Sequence, residues 1–160
     1  MWIGGDELPD RVPNAVTRFP QGPGASPGFL LWRVTLRWQR AMTAALAPLD
    51  ITHVQLVILA CTWWLTERGD APNQLAVAAQ AGTDPQMTSQ VVRRLEAKGL
   101  LERHVDPRDS RGRTVVPTRR GIALARKAIA AVEDADETFF AAAMSPALLR
   151  TLTQLARQPG

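Results

Sequence analysis

An arginine-rich stretch in the second half of the chain is the first feature whose residue types could do chemistry. Residues 106–113 read DPRDSRGR, and five of these eight residues are charged. β-prone runs lie on both sides of it, LLERHV at 100–105 and RTVVPT at 113–118, so the pattern predicts a β-hairpin with this stretch at its tip. The tip is either a solvated turn or a set of guanidinium groups that contacts a negatively charged partner.

A second set of candidate residues lies on the helix predicted just before that hairpin, over residues 85–98. Its polar side chains recur at i, i+3, i+4 and i+7, a spacing that places them on one side of a helix. They are Gln86, Ser89, Gln90 and Arg93. Glutamine can pair with adenine and arginine with guanine through two hydrogen bonds, and serine can bond bases or phosphates. This side is therefore either a plain solvated face or a surface that reads DNA bases.

The surrounding sequence predicts a helix-turn-helix. The opposite side of the same helix should face the interior, and its residues are Thr88, Val91, Val92 and Leu95. Asp84 is placed to cap this helix, and Gly99 is placed to end it. A short helix capped by Asn73 precedes it, and the turn AGT joins the two. Two short helices joined by a glycine-containing turn are typical of a helix-turn-helix.

The distribution of charge favours a nucleic-acid partner. The whole chain has 19 Lys and Arg residues against 15 Asp and Glu, a net charge of +4. Residues 93–120 hold nine of the basic residues and four of the acidic ones. This segment alone therefore carries +5, and the remainder is slightly acidic. A basic cluster around a predicted helix and hairpin is typical of a nucleic-acid-binding surface.

Other kinds of site find little support in the sequence. His53 and Cys61 could suggest a catalytic pair, but eight residues along a helix separate them by about 12 Å along its axis. The sequence contains no carboxylate cluster, metal-ligand spacing or phosphate-binding loop, so we expect no enzyme activity, metal or cofactor. Cys61 lies within ILACTWW, where we expect a buried and unreactive thiol.

Two further features bear on where the protein works. The single cysteine excludes an intramolecular disulfide, which fits a reducing compartment. The longest apolar run, VQLVILACTWWL, has 12 residues, well short of the roughly 20 that a membrane-spanning helix needs. We therefore expect a cytoplasmic protein without a membrane partner.

Long helices are predicted on both sides of these elements. Residues 1–27 are rich in Pro and Gly and should form an irregular arm. Thr52, Thr118 and Ser145 are placed to cap helices. The expected class is mainly α: a winged helix-turn-helix lobe at 51–117 with a two-stranded β-wing, flanked by dimerisation helices at 28–50 and 118–160. The flanking helices have apolar faces, which a homodimer interface would cover, although a closed monomeric bundle would also cover them.

The segment from Leu75 to Gly121 resembles the MarR family of bacterial transcription regulators. It contains AGTD, TSQVVRRLEAKGLLER, the tip DPRDSRGR and the restart TRRG, in that order. The flanking helices are similar to the family's dimerisation region, so the resemblance covers residues 28–157. It implies a homodimer that binds a pseudo-palindromic operator in double-stranded DNA and usually represses. In the family, small phenolic or aromatic ligands, or oxidation, release the DNA.

The resemblance also bears on the arginines of the tip. Arg111 should enter the minor groove, where narrow A·T tracts concentrate negative potential. Asp109 matches the acidic member of the family's Asp–x–Arg pair and should orient the Arg111 guanidinium through a fork-like pair. Contacts to DNA phosphates are expected from Arg108, Arg113 and Arg119.

The family's ligand crevice lies between the dimerisation helices and the DNA-binding lobe. The residues of this sequence that would line it are Trp38, Met42, His53, Trp63 and Trp64. Aromatic walls suit a flat aromatic ligand. The alternative is that the tryptophans are ordinary core residues.

The sequence thus favours a dimeric DNA-binding regulator that acts as a repressor. A protein-interaction module on a winged-helix scaffold without DNA binding is the alternative, and the arginine-rich tip argues against it. A small hydrolase or transferase is a third class, for which the sequence offers no site.

Overall fold

The computed structural model describes residues 18, 19, 21–69, 71–107 and 109–157. Over these residues the chain is mainly helical and has one two-stranded antiparallel sheet. The helices are α1 (Pro27–Leu46), α2 (His53–Glu67), α3 (Gln74–Ala81), α4 (Pro85–Ala97), α5 (Arg119–Phe140) and α6 (Pro146–Ala156). The strands are β1 (Leu101–Asp106) and β2 (Asp109–Pro117). The predicted class, a winged helix-turn-helix flanked by helices, is confirmed.

Packing divides the chain into two compact units, Met1–Arg40 and Ala41–Gly160. In the first unit, the described residues form a 3-10 turn at Pro23–Ala25 and the first part of α1. Most of the predicted arm, residues 1–27, lies outside the described residues. The second unit contains the end of α1, the other helices and the hairpin. The domain boundaries drawn from the sequence remain predictions.

The connection between α1 and α2 is tighter than predicted. The helix expected over 28–50 gives way to a 3-10 turn at Ala47–Leu49. Asp50 ends this turn with φ of 49°, in the left-handed region that aspartate tolerates better than most residues. Lys98 Nζ donates to the Asp50 carbonyl oxygen and lies 3.1 Å from Asp50 Oδ2. The turn is therefore tied to the C-terminal end of α4.

The predicted N-caps are confirmed by side-chain oxygens that accept backbone N–H groups of the following turn. Thr52 Oγ1 accepts the Gln55 N–H at 3.3 Å, and Gln55 Oε1 accepts the Thr52 N–H at 3.1 Å, a reciprocal capping box. The other caps are Asn73 for α3, Asp84 for α4, Thr118 for α5 and Ser145 for α6. These short-range bonds explain why the helices begin where the sequence predicts.

Helix α2 forms the centre of the second unit. It packs against α3, α4, α5 and β2, and Ile58 and Leu59 are completely buried. Val77 of α3, Leu95 of α4 and Val115 of β2 belong to the same core cluster. Burial of each such side chain contributes about 1.5–3 kcal/mol, so the helix-turn-helix and the wing are held on one support. Within the described residues, no single helix is long and apolar enough to cross a membrane; α1 and α2 pass that test only as a bent pair.

The wing differs from its prediction at the tip. The strands pair in antiparallel register from Leu101 opposite Pro117 to Val105 opposite Arg113, and the next pair is Asp106 opposite Asp109. The register shift makes residues 110–112 a bulge on β2. Strand β2 therefore begins at Asp109 rather than at the predicted residue 113, and Arg111 belongs to the strand instead of a free loop.

The first turn of α5 lies directly against the junction between α4 and β1. The Thr118 N–H donates to the Leu100 carbonyl at 3.1 Å, and Thr118 Oγ1 donates to the Gly99 carbonyl at 2.8 Å. A Cβ atom on Gly121 would lie 2.1 Å from the Leu100 carbonyl oxygen. Glycine therefore permits a close approach that no larger residue allows, and the TRRG motif fixes α5 against the base of the wing.

Candidate nucleic-acid interface

The inward face of α4 is the one that the sequence predicts. Thr88, Val92 and Leu95 are completely buried, and Val91 is 5% exposed. Thr88 Oγ1 donates to the Asp84 carbonyl at 2.9 Å and lies 2.7 Å from Thr83 Oγ1. The buried hydroxyl is thus satisfied, and it joins the first turn of α4 to the turn that precedes it.

A tight turn sets the position of α4 relative to α3. Gly82 has φ of 65°, a left-handed conformation that favours glycine. The Thr83 N–H donates to the Ala78 carbonyl at 3.0 Å, as is typical of a helix C-terminus closed by glycine. Both helices pack on α2, so the outward face of α4 stands on a rigid support.

The candidate base-reading residues lie on the outward side of α4. Gln86, Gln90 and Arg93 are exposed, whereas Ser89 is half-buried. Asp84 Oδ1 accepts the Gln86 N–H at 2.8 Å, which fixes the first turn. The sequence predicts that these four residues face base edges, as residues of a recognition helix do. Their contacts to DNA remain predictions.

Asp109 holds the backbone of the wing. Its Oδ1 atom accepts the backbone N–H of Arg111 at 2.9 Å, which closes an Asx turn. Both side chains are exposed. We expected a fork-like pair between the carboxylate and the guanidinium, but the contact that the structure describes runs to the backbone. This backbone contact orients Arg111 through the shape of the bulge, and the fork-like pair stays a prediction.

The remaining arginines differ in their surroundings. Arg108 lies outside the described residues. Arg113 and Arg119 are exposed, and Arg113 Nη1 donates to the Gly112 carbonyl at 2.9 Å. Their contacts to phosphates remain predictions.

An ion pair connects α4 to the wing. Arg103 Nε, on β1, lies 3.2 Å from Glu96 Oε2, on α4. The Nε and Nη2 atoms of Arg103 are shielded from solvent and make no well-aligned hydrogen bond to the part of the chain that the structure describes, so this contact is electrostatic. It contributes to the fixed orientation of the wing relative to α4.

Met87 and Arg94 also belong to the exposed side of α4, and the set predicted from the sequence includes neither. Met87 is 41% exposed, and Arg94 is exposed. With Gln90 they follow the spacing i, i+3, i+7. That spacing places all three residues on one side of the helix and could have identified them from the sequence. An apolar residue in a short helix ordinarily indicates the core, and that expectation fails for Met87.

Trp63 and Trp64 line a cavity of about 440 Å³. The other residues around it are Ala60, Cys61, Glu67, Gln80 and Ile129. The Arg126 guanidinium lies 5.4 Å from the centre of the Trp63 ring, and the Arg68 guanidinium lies 3.9 Å from that of Trp64, both within range of a cation–π contact. Trp64 is 46% exposed, so it is not an ordinary core residue.

The other predicted crevice residues do not line this cavity. Met42 is completely buried, which corrects its assignment, because a side chain without accessible surface cannot contact a ligand. His53 lines a separate cavity of about 300 Å³. Burial lowers the pKa of His53, and Asp136 partly opposes that shift. Trp38 lies in the first unit and is half-buried.

Cys61 is less buried than the sequence predicts. It is half-buried and lines the cavity beside Trp63 and Trp64, because only part of the α2 surface is covered by α3 and α5. Burial nevertheless raises the pKa of the Cys61 thiol. At neutral pH the thiol is therefore protonated, and its nucleophilicity is low. Among the described residues, no group of three or more His, Cys, Asp or Glu could hold a metal ion.

Comparisons with known proteins agree with this architecture. The model of the MarR family matches residues 51–112. The uncharacterized HTH-type transcriptional regulator YdcH of Bacillus subtilis is 43% identical over 123 residues, which cover 77% of this chain and 84% of that protein. The HTH-type transcriptional repressor Rv2887 of Mycobacterium tuberculosis is 31% identical over 119 residues, 74% of this chain and 83% of that protein.

Solved structures show the same fold. The crystal structure of CouR from Rhodococcus jostii RHA1 bound to p-coumaroyl-CoA has a TM-score of 0.73 at 28% identity and covers 86% of this chain and 93% of CouR. The transcriptional repressor CouR bound to a 23-mer DNA duplex has a TM-score of 0.72 at 26% identity, with 84% and 94% covered. Sequence and fold thus place the protein among transcription regulators and not among enzymes. The chain belongs to the MarR family of helix-turn-helix transcription regulators.

Proposed function

We propose that this regulator binds a pseudo-palindromic operator in double-stranded DNA as a homodimer and represses transcription. The observation that carries the proposal is the exposed polar face of α4 beside a wing with exposed arginines, both built on one buried core. Two relatives support repression, since Rv2887 and CouR are both named transcriptional repressors. A solved structure of CouR also holds a DNA duplex.

In this proposal the first turns of α4 enter the major groove, as recognition helices do. The side chains that read bases there are Gln86, Ser89, Gln90 and Arg93. The wing follows the backbone to the adjacent minor groove, where Arg111 enters. Arg108, Arg113 and Arg119 contact phosphates, which supplies affinity without sequence preference.

Replacing Gln90 with alanine is expected to reduce the discrimination between operator and random DNA by about 1–3 kcal/mol, because alanine cannot form two hydrogen bonds with a base. The dependence of log K on log [salt] should hardly change, since Gln90 is uncharged. Arg119→Ala should instead weaken binding to both duplexes alike. It should flatten that dependence by about 0.9 for each phosphate that the arginine no longer neutralises, and by about twice as much in a symmetric dimer.

The test is a set of fluorescence-anisotropy titrations on operator and scrambled duplexes at several salt concentrations. The operator can be selected from random duplexes or taken from an inverted repeat upstream of the coding sequence. Equal loss of affinity on both duplexes by the Gln90 variant would mean that this face of α4 does not read bases. Absence of binding to any duplex would favour the protein-interaction module.

The homodimer is supported by apolar helix faces that the described residues leave exposed. On α6, Leu149, Leu152 and Leu155 are 55%, 42% and 50% exposed. In the first unit, α1 exposes Phe29, Leu30, Leu31, Trp32 and Val34. Contiguous exposed apolar surface is typical of protein interfaces. A twofold axis would also place two α4 helices in successive major grooves, about 34–36 Å apart.

A double variant, Leu152→Glu with Leu155→Glu, is expected to convert the dimer to a monomer, because it would bury carboxylates without partners in an apolar interface. Light scattering at micromolar concentration should give a mass near twice 17.5 kDa for the wild type and near 17.5 kDa for the variant. Gln154→Glu adds one carboxylate on the other side of α6 and should remain dimeric, as the comparison for each single substitution, Leu152→Glu and Leu155→Glu. A monomeric wild type, or a double variant that dimerises as tightly, would contradict this assignment.

We also propose that a small aromatic ligand occupies the cavity beside Trp63 and Trp64 and releases the DNA. Flat aromatic walls and nearby guanidinium groups suit an aromatic ring that carries an acidic group. The cavity is bordered by α2, by Gln80 of α3 and by Ile129 of α5. A ligand there would change the packing of α3, and with it the position of α4. CouR, bound to p-coumaroyl-CoA, is a structural relative with a ligand.

A further inference from the structure

Met87 is a large apolar side chain on a face of α4 that is otherwise polar. It is 41% exposed, although the next residue, Thr88, is completely buried. Met87 is the third residue of α4, and its N–H donates to Asp84 Oδ1 at 3.0 Å. The cap therefore fixes the point from which this side chain leaves the helix.

Helix geometry places Met87 beside the candidate base-reading residues. Gln90 and Arg94 follow it at i+3 and i+7 and are exposed, whereas Val91 at i+4 is 5% exposed. Met87 thus lies at the edge of the outward face, next to Gln90. Side chains in the N-terminal turns of a recognition helix are the ones that contact base edges.

The chemistry of methionine narrows what it could contact there. Its thioether is only a weak acceptor, so it cannot read the hydrogen-bonding groups of a base pair. The prominent apolar group in the major groove is the C5-methyl group of thymine. Contact between the two removes apolar surface of both from water, and the flexible methionine side chain adapts to the position of the methyl group.

We propose that Met87 contacts the C5-methyl group of a thymine in each operator half-site and selects for T·A at that position. The inference rests on the proposed function, in which α4 reads the operator from the major groove. It adds a specificity-determining residue of a different kind, because Gln86 and Gln90 read hydrogen-bonding groups and Met87 reads a methyl group. The glutamine contacts alone do not define the base pair at this position of the half-site. The contact between Met87 and the methyl group defines it as T·A.

The experiment removes the methyl group from the DNA and the thioether from the protein separately. The full chain and Met87→Ala are titrated against the selected operator and against duplexes in which one thymine at a time is replaced by deoxyuridine. This replacement removes the C5-methyl group and keeps every hydrogen-bonding group. At one position per half-site, we expect the wild type to lose about fourfold in affinity for each methyl group removed. Met87→Ala should bind the operator and that substituted duplex equally.

A matched control uses another exposed apolar residue of the helix-turn-helix. Leu75 is 66% exposed on α3, the helix that crosses the DNA backbone in this motif. Leu75→Ala should therefore keep the full effect of deoxyuridine. Thermal unfolding of each variant checks that the fold is retained, which is expected for exposed positions.

Three results would overturn the inference: a wild type that binds every deoxyuridine duplex as tightly as the operator, a selected half-site without thymine, or a Met87→Ala variant that retains the deoxyuridine effect. A wild type that prefers no duplex sequence would overturn the proposed function, and this inference with it. Failure of the inference and failure of the proposed function are distinguishable, because only failure of the proposed function abolishes discrimination between operator and random DNA.

Discussion

Replacing Gly121 with alanine is expected to lower the free energy of unfolding by on the order of 3 kcal/mol. The new Cβ atom would lie 2.1 Å from the carbonyl oxygen of Leu100 and 3.0 Å from its carbonyl carbon. These are backbone atoms at a buried junction, so they cannot move aside as a flexible side chain would. Overpacking costs about 1–3 kcal/mol in ordinary cores, and more where the neighbours are rigid. A change of this size is a large share of the 5–15 kcal/mol that stabilises a typical domain.

Urea unfolding followed by circular dichroism measures this loss. Gly28→Ala is the matched control, because Gly28 also lies in the first turn of a helix and a Cβ there would meet nothing within 4 Å. That variant should change the free energy of unfolding by less than about 1 kcal/mol. Should the two variants unfold at the same urea concentration, the close approach to Leu100 is not the reason for glycine at position 121.

Arg111→Ala is expected to weaken operator binding by on the order of 1–3 kcal/mol per wing, which is the cost of losing one good contact to a base. Both copies of the wing lose the arginine in a homodimer, so the total effect should exceed that of a single wing. Folding should hardly change, because the Arg111 side chain is exposed in the free protein. Anisotropy titrations at fixed salt, beside urea unfolding of the same variant, separate these effects. Operator affinity equal to that of the wild type would remove Arg111 from the interface.

Two variants of Asp109 distinguish a backbone brace from a simple charge effect. Asp109→Ala removes the acceptor for the Arg111 N–H, so we expect weaker operator binding although a negative charge has left the interface. Asp109→Asn keeps an acceptor oxygen and removes only the charge, so it should bind at least as tightly as the wild type. Tighter binding by both variants would show that the carboxylate acts only by repelling phosphates and does not hold the bulge.

Local sequence is enough to predict where the helices begin and which face of α4 turns inward. The bonds that start a helix join residues at most three positions apart, as between Thr52 and Gln55, so local sequence contains both partners. The burial of Val92 and Leu95 follows from helical periodicity for the same reason. The winged helix-turn-helix could therefore be predicted from the sequence, whereas the family was identified by the resemblance of residues 75–121.

The shape of the wing required the tertiary structure. Strand propensity located both strands, but the pairing of Val105 with Arg113 and then of Asp106 with Asp109 depends on two strands meeting. That register creates the bulge, and the bulge brings Asp109 Oδ1 to the Arg111 backbone. The sequence and the family resemblance pointed to a fork-like pair, which stays a prediction, whereas the bond to the backbone N–H became visible only in the folded turn.

The aromatic cavity is likewise formed by packing between distant segments. Trp63 and Cys61 lie on α2, yet Gln80 of α3 and Ile129 of α5 complete the cavity. Periodicity identifies α2 as apolar on all sides and cannot say which part its neighbours leave open. For that reason Cys61 was expected in the core and reaches the cavity. Met42 of α1 was expected in a ligand crevice because of the family resemblance, and it is buried.

Gly121 illustrates the difference between what local sequence indicates and what contacts between distant segments add. Glycine inside a helix is unfavourable by about 1 kcal/mol relative to alanine, so its presence in TRRG indicates that something lies close to it. The identity of the neighbour, the carbonyl of Leu100, depends on how the hairpin returns the chain to the end of α4. Met87 is the complementary case, because its side chain is apolar and the packing of α4 on α2 leaves it exposed. Local sequence determines conformation within one or two turns, whereas contacts between segments depend on the packing of the whole core.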